Sequence, residues 1–239
     1  MQSSPIDSLT IANNFRYERK FQVLTNVSVK ELIAITKSNS AFFKEVFHER
    51  QINNIYLDTD EYKFYFDNVD GVSDRQKARI RWYGDTLGEL EKPKLEIKLK
   101  KGLVGDKWTF KLDSFIFENS FDAKALRRIF SSSGLPKPIY EMVVGLQPTL
   151  VNSYSRRYFL SADQKFRITL DYNIKYRNIK KNRNNFDQRP QQETTNVVEL
   201  KYSLQDDQRA QAISKEFPFR LSKNSKYVNG VNNFMSFPE

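Results

Sequence analysis

The sequence contains no cysteine and a single histidine, and these two scarcities exclude several kinds of site. Without cysteine, the 239-residue chain has no disulfide framework, no thiolate nucleophile and no cysteine-based metal site. His48 lies in FFKEVFHER, a stretch with helix-like spacing and no second histidine nearby. We interpret His48 as a surface or packing residue in a helix, rather than as a metal ligand or catalytic base.

Long apolar runs are also missing, because no stretch approaches the length of about 20 residues that a membrane-spanning helix needs. The first ten residues, MQSSPIDSLT, lack the charged-then-apolar layout of a signal peptide. A cytoplasmic location is therefore the expectation. A cytoplasmic location is compatible with a membrane-protein partner that would hold the chain at the inner face of a membrane.

Positive charge and aromatic residues are abundant. The net charge is +10, and the chain contains 19 phenylalanines and 12 tyrosines, a content that argues against disorder. A basic surplus of this size suggests an anionic partner: nucleic acid, nucleotide, phosphate polymer or anionic membrane. Charge alone does not choose among these partners, and it also fits a basic protein without any of them.

Strand-like segments with alternating polar and apolar residues dominate the chain. They span residues 15–23, 51–58, 75–84, 92–101, 106–112, 149–161, 165–176 and 195–203. Helix-like segments span 28–38, 120–134 and 204–217, the first with a capping-box pattern. Helices and strands do not alternate regularly, which favours an α+β fold built on an antiparallel sheet or barrel with helices outside. We predict one domain over 1–239, with a core at about 15–230, a flexible segment at 1–14 and a mobile basic loop at 177–194.

Charged residues share one face of six of these strands. In KLEIKLK, residues 94–100, Leu95, Ile97 and Leu99 alternate with charged residues on the other face. The charged face either meets solvent or lines the inside of a closed sheet whose apolar face lies under the helices. The basic members are Arg16, Lys20, Lys77, Arg79, Arg81, Lys98, Lys100, Arg156, Lys165, Arg167 and Lys201, and the acidic members are Glu18, Glu96, Asp171 and Glu199.

The residue types on this face suit phosphate. Arginine binds phosphate in a flat, bidentate manner, and Arg79 and Arg81 can reach one bound group from one strand. The few carboxylates suit a divalent cation, since Mg²⁺ is typically held by one or two carboxylates together with substrate phosphates. An ion pair with a neighbouring lysine or arginine explains each carboxylate equally well.

Seven motifs in a fixed order now point to a family: YERKF, RIRWYG, LEIKLKKG, SYSRRYF, RITLD, VELKY and SKY. From about Phe15 to Gly230 the chain resembles the VTC domain, which includes polyphosphate polymerases. That domain belongs to the superfamily of triphosphate tunnel metalloenzymes. The resemblance implies a β-barrel tunnel lined by basic residues, with helices outside. It also implies ATP as substrate, a polyphosphate chain as acceptor and Mn²⁺ or Mg²⁺ as cofactor.

The resemblance assigns roles to individual residues. The implied phosphate ligands with catalytic roles are Lys20, Arg79, Arg81, Lys98, Arg156 and Lys226. Substrate-binding roles fall to Glu18, Glu96, Arg167, Lys201 and Ser225, and the metal ligand is Glu199. Two positions depart from related patterns: Arg16 stands where the phosphatases of the superfamily have a first glutamate, and Asn68 offers no match to a basic residue that some polymerases have.

Three other functions stay open at this point. The same tunnel could cleave triphosphates or nucleoside triphosphates with water as acceptor, or it could bind polyphosphate without catalysis. A nucleic-acid binder is permitted by the net charge and by the basic segment KYRNIKKNRNN at 175–185, but no RNA- or DNA-binding signature is present. We therefore expect no specific nucleic-acid partner.

Overall fold

The computed structural model of the protein describes residues 16–101, 104–181 and 183–235, so the predicted flexible segment at 1–14 lies outside the described residues. The strands are β1 (Arg16–Leu24), β2 (Lys44–Asp58), β3 (Arg75–Tyr83), β4 (Gly88–Leu90), β5 (Lys94–Lys101), β6 (Val104–Lys111), β7 (Phe115–Phe117), β8 (Gln147–Leu160), β9 (Arg167–Asn178), β10 (Gln191–Gln192) and β11 (Thr195–Ser203). The helices are α1 (Val29–Ser38), α2 (Lys63–Val69), α3 (Ala123–Ser132), α4 (Lys137–Val143), α5 (Asp207–Lys215) and α6 (Lys226–Asn232).

All eight predicted strand regions form strands, but one helical prediction is wrong. Strand β2 begins at Lys44 rather than near residue 51, so His48 lies in a strand and FFKEVFHER is not a helix. This half of β2 pairs with β8 with register shifts between Glu45 and Phe47 and between Phe47 and Arg50. These shifts interrupt the two-residue alternation of side chains by which a strand is recognised in a sequence, so the segment resembled a helix. Its pairing with β8 nevertheless makes it a strand.

The main sheet is antiparallel throughout, in the order β1-β11-β9-β8-β2-β3-β5-β6, with the short β10 beside β9. Backbone pairing does not join β1 to β6 within the described ranges, so the hydrogen-bonded sheet stays open. Side chains nevertheless cross the opening, because Nζ of Lys98 on β5 lies 3.5 Å from Oε1 of Glu18 on β1. The sheet thus curls into a tunnel-like α+β fold, as predicted.

Helices cover the convex, apolar face of the sheet in two places. Beneath α3 and α4, one cluster contains Leu95 and Ile97 of β5, which are almost completely buried, with Leu99 packed against it. A second cluster beneath α1 and α5 contains Phe21, Ile168 and neighbouring side chains. The apolar side of KLEIKLK therefore lies under helices, and its charged side faces the concave interior.

Two of the predicted helices begin with side-chain caps. Before α1, the Ser28 Oγ accepts from the backbone N–H of Glu31 while the Glu31 carboxylate accepts from the Ser28 N–H, which is the predicted capping box. Helix α3 begins after Asp122, whose side chain accepts from the Ala125 N–H. The longest α-helices have ten residues, and no helix of the described ranges is long and apolar enough to cross a membrane.

The segment at 177–194 is attached to the rest of the fold at several points. Ile179 and Phe186 are buried in the cluster beneath α3 and α4, and the Asn184 side chain donates to the Phe121 carbonyl at 2.6 Å. Near its end, β10 pairs with β9. Its mobility stays a prediction, although these contacts hold both the middle and the end of the described segment.

Candidate active site

Strand β3 places four cations in a row on the concave face: Arg75, Lys77, Arg79 and Arg81. Directly opposite Arg79 on β5 lies Glu96, which is buried. Its Oε2 lies 2.6 Å from Nη2 of Arg79 and 3.5 Å from Nη1 of Arg81. Burial opposes the ionised form of Glu96, but the two guanidinium groups outweigh it and lower the pKa of this carboxyl to about 2.

A second cluster lies across the tunnel on β8, β9 and α6. The Arg156 guanidinium donates from Nη2 to Oδ2 of Asp171 at 2.7 Å, and Lys226 Nζ lies 2.6 Å from the same oxygen. Burial raises the pKa of Asp171, but these two cations outweigh burial and bring the pKa to about 2. Both cations also lie over the ring of Tyr154, whose hydroxyl accepts a 3.3 Å hydrogen bond from Arg81 Nη2.

The third cluster joins β1, β11 and β5. Glu199 accepts from Lys201 Nζ at 2.8 Å, and its other oxygen lies 3.6 Å from Lys20 Nζ. Burial opposes ionisation of Glu199, but Lys201 and Lys20 hold its pKa well below the usual range. Glu18 lies within 3.4 to 3.7 Å of the ammonium groups of Lys20, Lys98 and Lys201.

Helix α6 packs inside one end of the tunnel. Tyr227 stacks on Tyr56 of β2 at 5.0 Å between ring centroids, and Tyr56 lies directly opposite Arg79. Gly230 faces Leu150 of β8 so closely that a Cβ atom would lie 2.3 Å from its Cδ2. Because Gly230 leaves this space to the side chains of Leu150 and Tyr176, the helix lies close enough to β8 for its first residues to reach the cations.

The first turn of α6 carries two of the predicted residues. Ser225 precedes Lys226 and caps the helix through its Oγ, which accepts from the Val228 N–H. The same Oγ accepts a 2.9 Å hydrogen bond from Lys77 Nζ on β3. Helix α6 thus connects the β3 cations to the Asp171 cluster.

Lys77 differs from Arg79 and Arg81 on the same strand, because both arginines contact Glu96 whereas no carboxylate of the described chain forms an ion pair with Lys77. Its charged form is disfavoured first by burial and then by the positive charges of Lys20, Lys98, Arg75 and Arg79. These effects lower the pKa of Lys77 to about 7. An anion placed among these cations would supply the negative charge that Lys77 lacks.

The structure brings most of the sequence-predicted residues onto the concave face. These are Glu18, Lys20, Arg79, Arg81, Glu96, Lys98, Arg156, Glu199, Lys201, Ser225 and Lys226. Arg167 lies at the exposed first position of β9, opposite Lys201. Lys165, expected on the same face as Arg167, instead lies in the turn before β9 and donates to Asp206 at 3.3 Å. The expectation for Lys165 was wrong because β9 begins two residues after it.

Sequence reasoning gave no role to several side chains that complete the site. Lys77 and Asp171 were recognised as members of the charged face, but neither was assigned to the site. Tyr154 shares a face with Arg156 in SYSRRYF, and that spacing is the signal that could have identified it. Lys107 on β6, whose Nζ lies 3.1 Å from Glu96, follows no motif.

The tunnel carboxylates suit a divalent cation only in combination with substrate. No group of three or more histidine, aspartate or glutamate side chains that could hold a metal occurs in the described part of the chain. Glu199 is buried and has Glu18 as its acidic neighbour. Burial and Glu199 oppose ionisation of Glu18, but the neighbouring lysines outweigh them and lower the pKa of Glu18. In phosphate-transferring sites, Mg²⁺ is usually bound by one or two carboxylates together with oxygens of the substrate phosphates. Glu199 and Glu18 fit such an ion.

Comparisons with known proteins agree with this fold. The family model described as the VTC domain matches residues 15–235. Among solved structures, the PH1819 protein of Pyrococcus horikoshii has a TM-score of 0.51 at 10% identity, covering 92% of this chain and 99% of that protein. A candidate adenylate cyclase of Bacillus halodurans has a TM-score of 0.51 at 16% identity, covering 93% and 98%. None of the curated proteins matches in sequence.

Proposed function

This chain belongs to the VTC domain family, and on that premise we propose that it is a metal-dependent phosphotransferase. In this proposal it transfers the terminal phosphoryl group of ATP to a polyphosphate chain inside the tunnel. The observation that carries the proposal is the convergence of three cation clusters, from β3, β8 with α6, and β1 with β11, on one concave face. A surface of this kind suits a linear anion with many charged oxygens.

The side chains would act mainly by positioning and charge stabilisation, which supply most of the catalysis in phosphoryl transfer. Arg79 and Arg81 would bind oxygens of one phosphate from one strand, while Arg156 and Lys226 would contact the phosphates from the facing wall. Lys20 and Lys98 would bind from β1 and β5, where side chains close the tunnel. Since ion pairs already orient Arg79, Arg156 and Lys226, little reorganisation of these three cations accompanies the reaction.

Glu199, with Glu18 beside it, would hold the divalent cation Mn²⁺ or Mg²⁺ together with the phosphates of the substrate. When bound, such an ion supplies charge neutralisation at the transferring phosphoryl group. Lys20 and Lys201 now occupy the positions around the Glu199 oxygens. Binding of the ion would therefore require these ammonium groups to turn towards phosphate oxygens.

The acceptor decides the reaction class. A polyphosphate end, or a phosphate, as acceptor gives a polymerase, whereas water as acceptor gives a triphosphatase from the same set of side chains. The test is incubation with ATP labelled at the γ-phosphate and Mn²⁺ or Mg²⁺, followed by a gel stained for polyphosphate and measurement of orthophosphate. Label in long polymer is the expected result, and label only in orthophosphate would replace the polymerase by the hydrolase.

Variants of the cations test the site itself. Arg79→Ala and Lys98→Ala should each lower turnover about 100-fold or more, the usual cost of removing one preorganised charge donor. Lys165→Ala is the matched control, because it removes the same charge from the outside of the sheet. Wild-type rates for Arg79→Ala and Lys98→Ala would show that the reaction occurs elsewhere.

A module that binds polyphosphate without catalysis would show tight binding and no turnover. Its affinity would also be insensitive to Glu199→Gln. A nucleic-acid binder would be competed by single-stranded RNA, whereas the proposed tunnel should be competed by tripolyphosphate alone. These two measurements separate the binding functions from the enzymatic ones.

A further inference from the structure

Three aromatic side chains surround one arginine on the concave face, in a group that none of the proposed catalytic roles uses. The Arg50 guanidinium carbon lies 5.0 Å from the ring centroid of Phe47, 5.5 Å from that of Tyr158 and 5.8 Å from that of Tyr83. Phe47 and Tyr158 also contact each other edge to face at 5.7 Å. We call Phe47, Arg50, Tyr83 and Tyr158 the aromatic mouth.

The aromatic mouth lies at the opposite end of the tunnel from helix α6. On β3, Lys77 contacts Ser225 before α6, and Arg79, Arg81 and Tyr83 follow at two-residue spacing on the same face. Six residues of strand separate Lys77 from Tyr83 by about 20 Å. The cations that would bind phosphate therefore occupy the middle of this row, with the aromatic group beyond Arg81.

The backbone of β2 is shaped to form this group. In a regular strand, Phe47 and Arg50 would lie on opposite faces because they are three residues apart. The register shifts on either side of Phe47 break this alternation, so that its ring lies beside the Arg50 guanidinium. Such irregularities commonly re-aim a side chain next to a functional site.

Exposure and charge indicate that the aromatic mouth is available to a ligand. Phe47 is 53% exposed and Tyr83 is 51% exposed, although both rings are large enough to favour burial. No carboxylate in the described ranges forms an ion pair with Arg50, whereas Arg157 on the convex face contacts both Glu45 and Glu49. Arg50 also lies directly opposite Arg156 on β8, which places it next to the phosphate-binding cations.

From this geometry we infer that the aromatic mouth binds the base of a nucleoside triphosphate by stacking, with the phosphates directed inward past Arg81. The inference rests on the proposed function, whose site it extends. Flat, half-exposed rings at the end of a row of cations match a ligand with a flat base at the end of a row of phosphates. Stacking on rings accepts any base, so the aromatic mouth would favour nucleotides over inorganic phosphate chains rather than one base over another.

The test compares two ligands that share the phosphates and differ in the base. Binding of ATP and of inorganic tripolyphosphate, both with Mg²⁺, is measured by titration calorimetry on the wild-type chain and on Phe47→Ala and Tyr83→Ala. Each variant should weaken ATP binding about five- to tenfold, the lower range for loss of a base-stacking ring, and should leave tripolyphosphate affinity unchanged. Phe47→Leu keeps apolar bulk without the ring and should resemble Phe47→Ala.

Ile116→Ala is the matched control, because Ile116 is 65% exposed on β7, outside the main sheet. It should change neither affinity. Equal weakening of both ligands by Phe47→Ala and Tyr83→Ala, or no weakening of ATP binding, would overturn the inference and leave the phosphate site intact. Failure of the wild-type chain to bind either ligand would overturn the proposed function, and the inference with it.

Discussion

Lys77 should make ligand binding depend on pH in a range where the ligand itself does not titrate. Burial and four neighbouring cations lower the pKa of Lys77 to about 7, so this lysine is mostly neutral above pH 8 before a ligand binds. A bound triphosphate would return the pKa towards the ordinary value of about 10.4, because it places negative charge beside the ammonium. Binding should therefore take up a proton, and affinity should fall as pH rises.

The magnitude follows from the size of this shift. With a pKa of about 7 for Lys77 before binding and about 10.4 in the complex, the dissociation constant should rise roughly 70-fold between pH 7.5 and 9.5. Near pH 8.5, binding should take up about one proton. Above pH 7.5 the single terminal phosphate of ATP is already almost fully ionised, since its last pKa lies near 6, so the trend belongs to the protein.

The assay is titration of ATP at several pH values, in buffers of different ionisation enthalpy, with three variants. Lys77→Met should bind weakly at pH 7.5 and lose the steep trend, whereas Lys77→Arg should bind well at pH 9.5 with little trend. Lys165→Met removes the same charge outside the tunnel and should behave as wild type. A steep trend or proton uptake that persists in Lys77→Met would refute this account of Lys77.

Three further substitutions test the packing that supports the site. Asp171→Asn should lower the free energy of unfolding at pH 7 by about 3–5 kcal/mol in chemical denaturation, because it leaves two buried cations without their counter-ion. The folded pKa of Asp171 is lowered to about 2 from the ordinary 3.8, so wild type should hold its full advantage in unfolding free energy above pH 4 and lose about 2 kcal/mol of it as pH falls to 2. An advantage unchanged at pH 2 would contradict this. Gly230→Ala should cost about 1–3 kcal/mol through its clash with Leu150, and an unchanged melting temperature would show that α6 packs elsewhere. Ser28→Ala should cost about 1 kcal/mol in thermal unfolding without changing anion affinity, because it removes only the cap of α1.

The sequence was sufficient to predict the curled sheet, because its evidence is periodic and repeated. Leu95, Ile97 and Leu99 alternate with charges over a whole strand, and five other strands repeat the pattern. The alternation of apolar and charged side chains does not by itself show which face of the sheet lines the tunnel. The decision came from the motif resemblance and from helices that need an apolar surface, and the burial of Leu95 and Ile97 confirms it.

Features that depend on broken periodicity could not be predicted. The aromatic mouth exists because β2 changes register beside Phe47, and no local signal in FFKEVFHER marks this change. The position of α6 depends on a contact between Gly230 and Leu150, which are 80 residues apart in the chain. The unpaired state of Lys77 is likewise a property of three-dimensional neighbours, since its strand pattern is identical to that of Arg79 and Arg81.

The acidic residues of the tunnel explain how so many cations can lie close together on the concave face. Each of Glu18, Glu96, Asp171 and Glu199 contacts two or more cations, so positive charge remains in excess on the concave face. Buried ion pairs are poor sources of stability, because desolvation offsets most of their attraction. Their effect here is geometric: the carboxylates of Glu96 and Asp171 hold the guanidinium groups of Arg79 and Arg156 in fixed directions before the ligand binds. A phosphate chain can then bind the unused N–H groups of cations that are already oriented, and the excess charge attracts it without requiring the carboxylates to leave.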